Sequence, residues 1–338
     1  MEKKPVSVPT DRNANLVKVS CPVCGSKRSR FLFTVKDYAF RVTDAPFGVR
    51  RCTSCDCGYL SPRPAEVDIA KYYTGEYYWS YERAAEKLGW DMIIAKRRIQ
   101  LEAKSRWLEG MKPGRLLDVG AQKGEFVWWM REKGWEALGV ELDSTVPNPA
   151  NMPIRYGDFL NMKFDSAGFD CITMWAVLEH VYAPSKFVRR IAELLRPGGR
   201  FIALVTNFNS IQGRFFRLDD YPRHLTYFTK HSVQDLCRRY GLNVIRMRTS
   251  QDIFGGVLNG GMLCGLKRLF GYSADEAFSE WRQLWEPDLF FCCWRGCPSA
   301  LVRNISRFDR LITLPVEKML DRFGLGFIMT FSAEKQSL

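Results

Sequence analysis

The chain has 338 residues, 46% of them apolar, and its 50 Lys and Arg against 37 Asp and Glu give a net charge of +13. This apolar fraction is sufficient to bury a core and excludes a globally disordered protein. The first residues lack the apolar run of a secretory signal, and no apolar run is long enough to span a bilayer. We therefore predict a cytoplasmic protein.

The eleven cysteines and the positive charge both restrict function. In a chain without an export signal, cysteines favour metal ligation or burial over disulfides, because the cytosol keeps thiols reduced. The charge is compatible with nucleic acid, an anionic substrate or a membrane surface. Residues 1–60 carry 11 Lys and Arg against 5 Asp and Glu, so nearly half of the excess lies there.

Two Cys-x-x-Cys pairs follow a polar N-terminus at 1–19, which we predict to be flexible. They are Cys21 with Cys24 and Cys52 with Cys55, within the segment 20–64. Each pair can place two thiolates on one metal, and a tetrahedral set of four suits Zn²⁺. Cys57 leaves open a second choice, because it could replace Cys55 as a ligand. The spacing predicts a small zinc ribbon over 20–64.

The rest of the chain predicts helices and then a regular alternation of strands and helices. Residues 65–112 are expected to form a helical linker or lid, and 113–338 the main domain. Strands are predicted at 115–120, 137–142, 154–156, 169–175, 200–206, 243–247 and 327–331, and helices at 125–133, 184–195 and 231–240. This alternation predicts a mainly parallel sheet with its ligand site beyond the carboxyl ends of the strands. The aromatic-rich segment 251–324 is expected to be a helical insertion before the last strand.

A glycine-containing turn at the first strand-to-helix junction is the candidate ligand site. It runs from Asp118 through Gly120 to Gly124, and Glu141 ends the next strand. Glycine lets the backbone approach a ligand closely, and an acidic residue at that strand end can accept both hydroxyls of a ribose. The turn lacks the Gly-x-Gly-x-x-Gly pattern of dinucleotide sites, which favours a nucleoside without a diphosphate. An ordinary tight turn is the alternative.

Five motifs in order resemble the class I S-adenosylmethionine-dependent methyltransferases, over about residues 114–249 and the last strand. The motifs are Leu117–Phe126, Gly139–Leu142, Phe169–Asp170, Val177–Val181 and Leu195–Gly199. The resemblance implies an α/β fold with a Rossmann-like seven-stranded sheet whose last strand is antiparallel. It also implies S-adenosylmethionine bound by Asp118, Gly120, Ala121, Gly124, Glu141, Asp158 and Trp175, with Glu141 on the ribose and Asp158 near the adenine amino group. Family members usually carry Gly in place of Gln122, whose side chain is expected to narrow the turn.

A second resemblance rests on the cysteine segment, the run Tyr59–Pro64 and the tyrosine pairs at 72–73 and 77–78. They are similar to zinc-ribbon-bearing bacterial methyltransferases of the methyltransferase 23/13-like group, many of which modify sugars, glycolipids or natural products. This resemblance implies a structural Zn²⁺ and a ribbon that serves as a lid or substrate wall. It also implies a small-molecule acceptor, for which an anionic or lipid-linked compound is compatible with the charge.

Histidines near two strand ends are the candidate catalytic residues. Methyl transfer requires an in-line nucleophile and, for a hydroxyl acceptor, a base. His224 lies in the loop after the fifth strand, which the family uses near the acceptor, and His180 follows Glu179 after the fourth. We name His224 and His180 as candidates, with Glu179 and Tyr221 in reserve. The alternative for each histidine is a structural role.

Two other functions are compatible with these features. One is an RNA methyltransferase that binds RNA through the basic ribbon. The chain lacks the Asn-Pro-Pro-Tyr and Pro-Cys motifs of enzymes that methylate bases, and this absence disfavours nucleic-acid bases as substrates. The other is a non-catalytic zinc-ribbon protein on a degenerate scaffold, suggested by Gln122. Affinity for S-adenosylmethionine would distinguish an enzyme from the non-catalytic protein. Steeply salt-dependent binding of RNA would favour the RNA methyltransferase.

Overall fold

The computed structural model describes residues 15–37, 40–73, 89–211, 213–214, 217, 219–250, 253, 315–316 and 318–336. Predictions for residues 1–14, for Tyr77 and Tyr78, and for most of the insertion at 251–324 lie outside these residues. None of the helices in the described residues combines the length and the apolar character that crossing a bilayer requires.

Thirteen strands and four α-helices are assigned in the described residues. The strands are β1 (Leu16–Val17), β2 (Ser29–Val35), β3 (Phe47–Cys52), β4 (Gly58–Leu60), β5 (Arg63–Pro64), β6 (Arg115–Val119), β7 (Glu136–Glu141), β8 (Ile154–Tyr156), β9 (Phe169–Trp175), β10 (Leu195–Thr206), β11 (Thr226–Tyr227), β12 (Leu242–Thr249) and β13 (Ile328–Lys335). The helices are α1 (Trp90–Ser105), α2 (Glu125–Arg131), α3 (Pro184–Leu194) and α4 (Lys230–Arg238), with short 3-10 helices at Glu66–Tyr72 and Arg106–Leu108.

A seven-stranded sheet forms the centre of the main unit, in the order β12-β13-β10-β9-β6-β7-β8. The neighbours from β10 to β8 pair in parallel, whereas β13 is antiparallel to both β10 and β12. The central strands are apolar and buried on both faces, as expected for a sheet covered by helices. The predicted fold class, with its antiparallel last strand, is confirmed.

Local sequence explains where two of the helices begin. α3 begins at Pro184, whose fixed φ suits the first turn and whose missing N–H would have no partner there. α4 is capped by Thr229, which exchanges side-chain and backbone hydrogen bonds with Ser232. His231 is exposed on α4.

The cysteine-bearing segment folds as an antiparallel sheet that includes a strand from the main unit. Its order is β11-β4-β3-β2, with Thr226 opposite Tyr59 and Tyr227 opposite Gly58. β11 begins two residues after His224, so this pairing places the loop after β10 against the ribbon.

A buried arginine joins the same two parts of the chain. The Arg223 side chain is fully buried, and its Nη2 lies 3.0 Å from Asp37 Oδ1 of the ribbon segment. Its Nε lies 2.7 Å from Asp220 Oδ1, and it also donates to the carbonyl oxygens of Tyr72 and Tyr221. Since four acceptors surround one guanidinium, the cost of removing this charge from water is largely offset.

We expect Arg223→Met to lower the free energy of unfolding by about 3–5 kcal/mol, because it leaves the carboxylate of Asp37 buried without its cation. Arg98→Met is the matched control, since Arg98 is exposed and pairs with Glu102 across one helical turn. The control should change stability by less than about 0.5 kcal/mol. Urea unfolding measures both variants, and equal losses would contradict a special role for Arg223.

Candidate functional site

The glycine-containing turn lies between β6 and α2 and is held against two neighbouring strands. The N–H groups of Gly120 and Ala121 both donate to the carbonyl oxygen of Val140 in β7, at 2.8 and 3.0 Å. Gly120 has a φ of 81° and Gly124 one of 83°. A Cβ on Gly120 would lie 2.4 Å from Cγ2 of Val177, just beyond β9. Gly120 is therefore required by its conformation and by the close approach of the β9 loop.

Gln122 takes the left-handed conformation that glycine usually supplies, with a φ of 48°. This costs roughly 1–2 kcal/mol for a residue with a Cβ. Its N–H donates to Glu141 Oε2 at 2.9 Å, while Oε1 of Glu141 accepts from the N–H of Leu142 at 2.8 Å. Gln122 is exposed. Gln122 therefore adopts a backbone conformation typical of glycine, and the narrowing of the turn by its side chain stays a prediction.

Asp118 is buried at the end of β6 and accepts a hydrogen bond of 2.6 Å from the hydroxyl of Thr173. Burial raises the pKa of Asp118 to about 6, and the cation of Lys104 acts in the opposite direction. Asp158 is exposed and accepts from the N–H of Leu160 and the amide of Asn161.

Lys104, on the last turn of α1, is a site residue that the sequence patterns did not indicate. Its Nζ lies 5.3 Å from the ring centroid of Trp175 and 5.7 Å from that of Phe126. Burial lowers the pKa of Lys104 to about 8, while Asp118 acts to raise it. Trp175 ends β9, and its Nε1 is buried without a hydrogen-bond partner among the described residues. Lys104 thus lies near both the carboxylate of Asp118 and the ring of Trp175.

The four predicted metal ligands converge in the ribbon. The Sγ atoms of Cys21 and Cys55 are 3.5 Å apart, as are those of Cys24 and Cys52, and all four lie within 4.8 Å of one another. In a tetrahedral site with Zn–S bonds of about 2.3 Å, sulfur atoms are separated by about 3.8 Å. Cys57 is buried outside this set, with its thiol 3.1 Å from the carbonyl oxygen of Gly58. The donor set and its spacing fit a tetrahedral thiolate site.

A second convergence of side chains, the histidine cluster, consists of Glu179, His180 and His224. Each offers a ligand atom within 4.8 Å of the others, and the two imidazole centroids are 4.4 Å apart. His224 Nδ1 is 2.5 Å from Asp219 Oδ1, and His180 Nδ1 is 2.9 Å from the hydroxyl of Tyr73. The two histidines and Glu179 were predicted from sequence, whereas Asp219 was not.

Burial and charge give the three groups of the cluster different pKa values. Burial raises the pKa of Glu179 to about 7, with His224 opposing this shift. Burial also acts to lower the pKa of His224, but the adjacent carboxylate of Asp219 outweighs it and raises the pKa to about 9. The pKa of His180 is held well below its usual range by burial and then by His224. At neutral pH, His224 therefore carries a proton and His180 is uncharged.

The histidine cluster adjoins the glycine turn through the loop after β9. Val177, whose Cγ2 borders Gly120, accepts a hydrogen bond from the N–H of His180. The backbone oxygen of Glu179 accepts from Leu225 and Thr226, which connects the cluster to β11. Tyr221 is placed apart from the cluster, with its ring 5.5 Å from that of Tyr227 in the aromatic core beside the ribbon.

We expect Gly120→Ala to destabilise the protein by about 1–3 kcal/mol more than Gly110→Ala, because only the former adds a Cβ against packed atoms. Both glycines have positive φ values, 81° and 82°, so the backbone strain is matched. The free energy of unfolding in urea measures the difference. Equal destabilisation would show that the close approach of Val177 is not required.

Comparison with known proteins finds similarity to methyltransferases. A family model described as a methyltransferase domain matches residues 94–247. A ubiquinone biosynthesis O-methyltransferase of Alkalilimnicola ehrlichii is 27% identical over 121 residues, covering 33% of this chain and 49% of the relative. The ubiquinone biosynthesis O-methyltransferase of Paracidovorax citrulli is 26% identical over 166 residues, covering 42% of this chain and 70% of the relative. The chain thus spans about half the length of the first of these relatives.

Among solved structures, a Haemonchus contortus phosphoethanolamine N-methyltransferase complex has a TM-score of 0.49 and 14% identity, covering 90% of this chain and 71% of that one. The sheet order, the sequence motifs and the match to the family model all indicate a methyltransferase domain. Residues 94–247 thus match the model of a methyltransferase domain, and the order of the seven-stranded sheet is the one that the sequence motifs implied.

Proposed function

We propose that this protein transfers the methyl group of S-adenosylmethionine to a hydroxyl oxygen of a small-molecule acceptor. The observation that carries the proposal is the contact of the β9 loop with the glycine turn, through Val177 and Gly120. This contact supports a site in which Glu179, His180 and His224 act near the candidate cofactor turn, at the carboxyl ends of β6 and β9.

The cofactor site matches the chemistry of S-adenosylmethionine. Glu141 would accept the ribose hydroxyls, Gly120, Ala121 and Gly124 would line the turn, and Asp158 would approach the adenine. Asp118 and Lys104 offer opposite charges to the ammonium and carboxylate of the amino-acid tail. When bound, the cofactor supplies a sulfonium-activated methyl group. Trp175, with its unpartnered Nε1, borders the same space.

At the acceptor, the cluster supplies the groups that transfer from a hydroxyl requires. As the acceptor oxygen forms its bond to the methyl carbon, its proton must leave, and Glu179 Oε2 is a buried acceptor atom without a donor among the described residues. The His224 imidazolium, oriented by Asp219, would stabilise negative charge that develops on the oxygen. His180 and Tyr73 would position the acceptor. Tyr221 stays a reserve candidate.

The class of acceptor is inferred from the relatives and the charge. The two relatives described above are named O-methyltransferases of ubiquinone biosynthesis, which favours transfer to oxygen. A net charge of +13 is compatible with an anionic or lipid-linked compound. Sugars, lipid-linked compounds and secondary metabolites therefore form the first substrate panel.

The thiolate set is proposed to hold a structural Zn²⁺, because its four positions are filled by protein ligands and none is left for a substrate. The ribbon would then act as a fixed wall of the acceptor site, since β4 pairs with β11 directly after His224. Within this proposal the chain divides into a ribbon at 20–64, a linker at 65–112 and a methyltransferase domain at 113–338, whose β11 pairs with the ribbon.

The proposal predicts that Glu179→Gln lowers kcat about 10²–10⁴-fold while S-adenosylmethionine binding is retained. Transfer of labelled methyl to the substrate panel measures kcat, and calorimetry measures cofactor binding. His231→Asn, on the exposed face of α4, is the control and should leave both unchanged. A folded wild-type protein with no affinity for S-adenosylmethionine would overturn the proposal.

The zinc assignment predicts different results for two neighbouring cysteines. Cys55→Ser should abolish tetrathiolate coordination, whereas Cys57→Ser should preserve it, because Cys57 lies outside the convergent set. Replacing the metal with Co²⁺ and recording the thiolate-to-cobalt charge-transfer absorption measures the number of thiolate ligands. The reverse pattern would identify Cys57 as the ligand.

A further inference from the structure

The histidine cluster also has the features of a metal site separate from the four thiols. In the described residues, Glu179 Oε2 is buried and has no hydrogen-bond partner. Glu179 is 1% exposed, so its carboxylate has almost no contact with bulk solvent. A buried carboxylate oxygen without a donor has lost its hydration with no hydrogen bond to replace it. A ligand that binds this oxygen would replace that hydration.

The two histidines are oriented as metal ligands commonly are. Each has its Nδ1 within hydrogen-bond distance of an oxygen: Asp219 Oδ1 for His224 and the Tyr73 hydroxyl for His180. Such outer contacts orient an imidazole ring, and a ring whose Nδ1 carries the proton has Nε2 as its coordinating atom. The ligand atoms of Glu179, His180 and His224 lie within 4.8 Å of one another, so small side-chain movements bring them around one ion.

The surrounding charge also favours a divalent cation. Two carboxylates, those of Glu179 and Asp219, adjoin the two imidazoles. The nearby guanidinium of Arg223 is neutralised by its own ion pairs with Asp37 and Asp220. Once His224 binds as the neutral imidazole, one divalent ion balances the carboxylates of Glu179 and Asp219 without a further anion.

We propose that Glu179, His180 and His224 form a second metal-binding site, for a borderline divalent cation such as Zn²⁺. Two imidazoles and one carboxylate are a common ligand set for Zn²⁺ that leaves a coordination position open. Asp219 is the positioning residue that orients His224.

Occupation of this site would inhibit the methyl transfer proposed above. The ion takes the oxygen of Glu179 that would otherwise accept the proton of the hydroxyl, so free Zn²⁺ and the proton compete for one atom. Inhibition rests on the proposed function, whereas binding of the metal does not.

The test measures metal stoichiometry on the full chain, without cofactor or acceptor. After equilibrium dialysis against Zn²⁺, elemental analysis should find two Zn²⁺ per wild-type chain. Glu179→Gln and His180→Asn should each bind one, held by the four thiols, and Asp219→Asn should weaken the second site about 10–100-fold. His231→Asn is the matched control and should keep two.

Substitution with Co²⁺ adds a spectroscopic measurement that separates the two sites. The thiolate-to-cobalt charge-transfer absorption should persist in every variant, which also shows that each variant is folded around the ribbon. One metal ion per wild-type chain, or a second ion unaffected by Glu179→Gln and His180→Asn, would overturn the inference. Absence of S-adenosylmethionine binding would overturn the proposed function alone.

Discussion

The guanidinium of Arg223 is the constraint on which the arrangement of the site depends. It is fully buried and bonded to Asp37, Asp220 and the carbonyl oxygens of Tyr72 and Tyr221. A buried charge is tolerated only when its hydrogen-bonding groups are satisfied together, because each loss leaves a desolvated partner. The ribbon, the 3-10 helix at Glu66–Tyr72 and the loop after β10 must therefore assemble around one side chain, and that loop carries His224.

The ribbon contributes to the methyltransferase unit through its position as well as through its cysteines. Pairing of β4 with β11 extends the ribbon sheet into the loop that carries Asp219 and His224. Leu225, the residue before β11, donates its N–H to the backbone oxygen of Glu179. The short antiparallel pairing of β4 with β11 thus lies between the thiols and the histidine cluster in the chain of backbone contacts.

Local patterns indicated much of the fold, and the reasons are physical. A buried parallel strand needs a continuous apolar run, so β6 and β9 were found at nearly their observed bounds. The turn required glycine at residue 120, and two Cys-x-x-Cys pairs were sufficient to indicate the thiolate set. Lys104 and Asp219 were not indicated, because neither lies in a repeating pattern and each acquires its role only where another element packs against it.

By itself, the sequence determined the elements, the strand-to-helix turn with its acidic strand ends, and the four thiols, because these follow from short-range periodicity and spacing. The tertiary structure alone decided which distant groups share a site. The contact of Tyr73 with His180 spans 107 residues and that of Arg223 with Asp37 spans 186. It also decided the charges, since the pKa values of Glu179 and His224 are set by burial and by Asp219, which no local pattern reports.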